Sequence, residues 1–106
     1  MKIYRQIYSG LIQKLCAESE ISESDLLSSR DERCFLARIA VVCGLSDKGL
    51  TDMEISRVMG LSQQVVNRNK SIGRYRFSHS RTLRIMSYIV KDYLDEKFAG
   101  TEPTFE

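Results

Sequence analysis

The sequence has no tryptophan, a single histidine and only three cysteines in 106 residues. Cys16, Cys34 and Cys43 are odd in number and show no C-x-x-C spacing, which argues against both a disulfide framework and a zinc site. Each stands among apolar residues at helical spacing and reads as a small buried hydrophobe. The lone histidine, His79, has no carboxylate at a spacing that would make a catalytic triad. No G-x-x-x-x-G-K-[ST] loop is present to cradle a nucleotide. The expectation is a protein that is not an enzyme, with no cofactor, no metal and no small-molecule substrate.

Long hydrophobic runs are missing as well. The longest covers about five residues around Ile39 to Cys43, against the ~20 that a membrane span requires. The start, Met1-Lys2-Ile3-Tyr4-Arg5, carries charge early and leads into no apolar signal core. A cytoplasmic location with no membrane partner is expected.

The most informative absence is of acids. Residues 57 to 84 contain no Asp or Glu but hold Arg57, Arg68, Lys70, Arg74, Arg76, Arg81 and Arg84, in a chain whose overall charge is only +2. The segments on either side are net acidic. A concentrated cationic stretch of this kind points to a polyanionic partner.

An apolar share of 42% and a charged share of 28% are those of a folded globular chain of one domain. The patterning is helical throughout. Ile3, Ile7, Leu11 and Leu15, with Tyr4 and Tyr8 alongside, form one stripe, which Gly10 weakens slightly. Ser22 and Asp25 open a short helix carrying Leu26 and Leu27, and Ser28 to Asp31 reads as a turn. From Asp31 the set Phe35, Leu36, Ile39, Ala40, Val42 and Cys43 covers more than one face, so this helix should be central. Gly44 and Gly49 read as brackets of a loop, Leu45-Ser46-Asp47-Lys48.

Thr51-Asp52-Met53-Glu54 is a capping box, and the helix it starts carries Ile55, Val58 and Met59 inward before stopping at Gly60. Ser62 can cap a further helix with Val65 and Val66 inward. Two capped helices joined through Gly-Leu-Ser predict a helix-turn-helix over about residues 51–72. Gly73 reads as the end of its second helix, and Arg74-Tyr75-Arg76-Phe77 as a short connector or wing-like hairpin. From Ser80 to Phe98 a long amphipathic helix carries Leu83, Met86, Ile89, Val90, Tyr93 and Leu94. The expected fold is an all-α bundle of about five to six helices over residues 1–99, with a loose tail over 100–106.

A recognition helix needs an apolar inner face, amide and cationic side chains outside, and small residues at its leading end to enter the major groove. Residues 62–71 meet these demands. Gln63, Gln64, Asn67 and Asn69 have the amides that pair with adenine edges, Arg68 suits guanine, and Ser62 stands at the leading end. Arg57, Lys70, Arg74, Arg76, Arg81 and Arg84 are the candidate phosphate contacts, together with the N–H groups at the Ser62 end of the helix. Tyr75 and Phe77 read first as core aromatics, with base stacking as the alternative. The expected partner is therefore double-stranded DNA. A homodimer or other helical interaction through the C-terminal helix is the reading from another class.

The run Asp25-Leu26-Leu27-Ser28, then Arg30 through Ala37-Arg38-Ile39-Ala40, then Leu50-Thr51 through Glu54-Ile55-Ser56-Arg57-Val58-Met59-Gly60, resembles the C-terminal duplex-DNA-binding domain of the bacterial replication initiator DnaA over about residues 21–72. The resemblance implies a helical DNA-binding fold containing a helix-turn-helix. The family's D-H-[ST]-T element, which reads bases, is replaced by Ser62-Gln63-Gln64-Val65, so the initiator's DNA site does not transfer. Its basic loop is diluted, because Asp31 and Glu32 stand between Arg30 and Arg33. Arg30, Arg33 and Arg38 remain as accessory backbone contacts by this resemblance. By analogy, a free-standing domain of this kind is a small regulator or a mobile-element accessory protein.

Overall fold

The computed structural model describes residues 2–99, and the expected tail at 100–106 lies outside them. The chain folds as α1 (Lys2–Ser19), α2 (Glu23–Ser28), α3 (Glu32–Asp47), α4 (Asp52–Met59), α5 (Gln63–Arg76), a single 3-10 turn (Phe77–His79) and α6 (Arg81–Ala99). The architecture is all-α, and among the described residues there is no strand.

The starts of these helices follow from side chains that satisfy their free N–H groups. Ser22 accepts from the Asp25 N–H at 3.1 Å, Asp31 from Arg33 at 3.2 Å and Ser62 from Val65 at 3.1 Å. At α4 the box is complete, with the Glu54 N–H on the Thr51 hydroxyl at 3.1 Å and the Thr51 N–H on the Glu54 carboxylate at 2.9 Å. Thr51→Ala removes one half of this reciprocal pair and is expected to lower stability by about 1 kcal/mol in urea denaturation.

Hydrophobic burial organises the helices around α3, whose Leu36, Ala37, Ile39, Ala40, Val41, Val42 and Leu45 are buried on several sides. Leu83, Met86, Val90 and Leu94 of α6 join the same cluster. So do Leu11 and Leu15 of α1, Leu26 of α2, Ile55, Val58 and Met59 of α4, and Val66 of α5. All six helices thus share one core. At its N-terminal end α1 departs from the expected stripe, because Ile3 is half exposed while Tyr4 lies over Phe98 with ring centroids 6.4 Å apart.

Two glycines read as helix ends are interior positions, where close packing needs them. α3 runs through Gly44 to Asp47 in place of the expected loop, and a Cβ at Gly44 would lie 2.4 Å from Cγ1 of Val90 on α6. α5 likewise runs through Gly73 to Arg76, and a Cβ at Gly73 would lie 2.5 Å from Sγ of Cys43 and 3.0 Å from Cγ2 of Ile39. The wing-like hairpin is absent for the same reason. With Gly73 inside the helix, Arg74 to Arg76 complete its last turn, the Phe77 N–H bonds back to the Gly73 carbonyl, and one 3-10 turn leads to α6.

Arg38 and Arg33 have structural tasks. Arg38 donates to the Leu26 carbonyl at 2.6 Å and to that of Ser29 at 2.7 Å, and Arg33 donates to the Ser19 carbonyl at 2.6 Å. These bonds satisfy carbonyls at the ends of α1 and α2 and fix the entry into α3. Both arginines thus hold backbone carbonyls within the fold, while Arg30 is exposed in the turn before α3.

Candidate nucleic-acid interface

Helical spacing puts Gln63, Gln64, Asn67, Arg68, Ser71, Arg74 and Tyr75 on one side of α5, and all seven are exposed. The opposite side buries Val66, Asn69 and Gly73. Asn69 is 6% exposed and so leaves the group of base-reading candidates. Gln63, Gln64, Asn67, Arg68 and Ser71 line one shallow depression, whose remaining wall is Asp52 at the start of α4.

The turn that presents this face is held by the backbone and by one hydroxyl. The N–H groups of Gly60 and Leu61 bond the Ser56 carbonyl at 2.9 and 3.2 Å, while the Ser56 hydroxyl donates to the Leu61 carbonyl. Gly60 takes the left-handed conformation at φ 72° that closes α4. The Ser62 hydroxyl is occupied as the cap of α5, which leaves the leading turn of the helix, without acids, to offer its N–H groups outward.

Asp52 is the residue that local reading missed. Its carboxylate takes the Lys70 ammonium at 2.6 Å and lies 3.5 Å from the Asn67 amide nitrogen. The hydrogen bond from Lys70 holds the Asp52 carboxyl below its ordinary range, against a smaller opposing effect of burial, and the Asn67 amide adds to the lowering. Lys70 is thereby half-buried and neutralised. Arg76 is drawn off in the same way, paired with Glu32 at 2.9 Å and set 5.8 Å over the Phe35 ring. Arg84 donates to the Phe77 carbonyl at 2.9 Å.

The seven cations of the acid-free stretch are thus not seven free charges. Lys70 and Arg76 carry carboxylate partners from elsewhere in the chain, whereas no carboxylate pairs with Arg57, Arg68, Arg74, Arg81 or Arg84 among the described residues. Arg68 lies within the depression, and Arg74 stands on the same side of α5 beyond Ser71. Arg57 on α4 and Arg81 at the start of α6 are exposed outside it. Tyr75 is 75% exposed with its ring 5.6 Å from that of His79, so it is no core residue. Phe77 is partly exposed and meets Tyr88 edge-on at 6.3 Å.

No group of three or more His, Cys, Asp or Glu among the described residues is arranged to hold a metal ion, and no helix is long and apolar enough to cross a membrane. No protein-family model, curated protein or solved structure matches the chain.

Proposed function

We propose that the chain binds duplex DNA, with α4 and α5 acting as a helix-turn-helix and the exposed side of α5 entering the major groove. The observation that carries this reading is the α5 face itself: three amides and two arginines, all solvent-exposed, on a helix whose inner side is anchored in the core. Amide side chains there match adenine edges, and Arg68 matches guanine or phosphate. The outline shared with the DnaA C-terminal domain supports the same reading, and the role that follows is that of a small regulator or mobile-element accessory protein.

Gel-shift titration against mixed-sequence duplexes at ~50 mM salt tests it, because even a few phosphate contacts give measurable non-specific affinity under those conditions. Binding is the expected result, and its absence overturns the proposal. Arg68→Ala should cost about 1–3 kcal/mol of discrimination between preferred and random sequences. Arg57→Ala should instead weaken all sequences about equally.

A second reading, pairing of α6 with a second copy, is favoured by the exposure of Ile85 at 50% and Tyr88 at 55%, one turn apart on that helix. Sedimentation velocity distinguishes the two. A dimer broken by Ile85→Glu supports pairing, and a monomer that shifts DNA removes it. A dimer that binds paired half-sites would join both readings.

A further inference from the structure

Behind the exposed side of α5 lies a half-open cleft of about 700 Å³ between α3, α5, the 3-10 turn and α6. That volume is in the range of small-molecule sites, which are mostly apolar with a few convergent polar groups. Leu83, Phe77 and Tyr88 supply apolar and aromatic walls, and most of the exposed lining is apolar. Three cations, Lys70, Arg74 and Lys91, stand around it against one acid, Asp47.

The thiol of Cys43 reports how these charges converge. Burial, the largest influence, pushes it above its ordinary range; Asp47 raises it further, while Arg74 and Lys70 pull it down. Of the cations, Lys70 is paired with Asp52 and Lys91 with Asp95, whereas Arg74 meets the Ser71 hydroxyl at 3.5 Å and no carboxylate among the described residues. An apolar cleft whose wall carries an arginine that no carboxylate holds fits an organic anion: a carboxylate or sulfonate on a flat or aliphatic body.

Lys70 belongs to both sides of α5. It lines the cleft, yet its ammonium is bonded to Asp52, which lines the depression beside Gln63, Asn67 and Arg68. An anion in the cleft competes with Asp52 for that ammonium. We propose that the cleft is an effector site for a small organic anion, and that its occupation turns Lys70 away from Asp52 and leaves an unpaired carboxylate on the α5 side that faces DNA. The regulatory half of this inference rests on the DNA-binding reading; occupation of the cleft and release of Asp52 do not. The outcome for DNA is weaker binding, since a free carboxylate is set against phosphates.

The test uses anilinonaphthalene sulfonate and its uncharged parent, phenylnaphthylamine, on the full chain. The sulfonate is expected to bind saturably at one site and to slow maleimide modification of Cys43, with Cys43→Ser identifying the labelled thiol. The uncharged parent should bind more weakly by about tenfold, the value of one charge-assisted contact. Arg74→Ala should reduce that preference while circular dichroism stays unchanged, and Ser87→Trp should fill the cleft and abolish binding. An NMR titration should find the Asp52 carboxyl midpoint raised toward its ordinary value when the sulfonate is bound. Binding without saturation, Cys43 unprotected, a preference unchanged by Arg74→Ala, or an unmoved Asp52 each overturns the proposal. None of these readouts needs DNA. A gel shift that succeeds without the sulfonate and weakens with it, but not in Asp52→Asn, then completes the coupling.

Discussion

Ile39→Ala is expected to lower the free energy of unfolding by about 2–5 kcal/mol, the cost of emptying a well-packed aliphatic site in a core. Ile39 is fully buried in α3, the helix on which the rest of the bundle packs. A natural domain holds only about 5–15 kcal/mol in total, so the variant should sit near the edge of folding at physiological temperature. Urea denaturation checks this, with the midpoint falling and the slope unchanged if the native and unfolded states keep their compactness. Coupling to Gly73 adds a second test. Gly73→Ala gains about 1 kcal/mol of helix propensity, yet its Cβ would meet the Cys43 sulfur at 2.5 Å and the Ile39 methyl at 3.0 Å. With Ile39 shortened, one of those two contacts disappears. The cost of Gly73→Ala should therefore shrink in the double variant, which would show the two sites to be non-additive.

Gly73 also marks where sequence reading stopped being sufficient. Caps were legible at Ser22, Thr51 and Ser62 because each joins a side chain to an N–H three residues on, a relation confined to the local string. The central helix was legible because apolar residues on more than one face of Leu36 to Val42 leave no side for water. A glycine inside a helix sends the opposite local message from the true one: propensity reads it as an end, whereas here two helices pass too close for a Cβ. That information lies in the partner helix, far along the chain. The same distance hid Asp52–Lys70 and Glu32–Arg76, pairs separated by 18 and 44 residues. Nor did any local pattern distinguish Arg38, bonded to the Leu26 and Ser29 carbonyls at the end of α2, from an arginine left in solvent. The exposed amide and cation face of α5 was legible, since helical periodicity around Val65 and Val66 sets which residues face out.

Those hidden pairs change what the proposed DNA binding should look like. If all six cations assigned to phosphates by sequence were free, affinity would fall with a logarithmic salt slope of about −5, and by about a thousandfold between 50 and 200 mM salt. Lys70 and Arg76 are already paired within the fold, which leaves Arg57, Arg74, Arg81 and Arg84 for phosphates. The expected slope is then about −4, and the loss over the same range about a hundredfold. A steeper slope would mean that DNA displaces Asp52 from Lys70 or Glu32 from Arg76 as it binds. Asp52→Asn and Glu32→Gln separate those cases, because freeing Lys70 or Arg76 in advance should each steepen the slope by about one. If neither variant changes it, phosphates are not reached by these two residues, and the interface is confined to the exposed side of α5 and the arginines that no carboxylate holds.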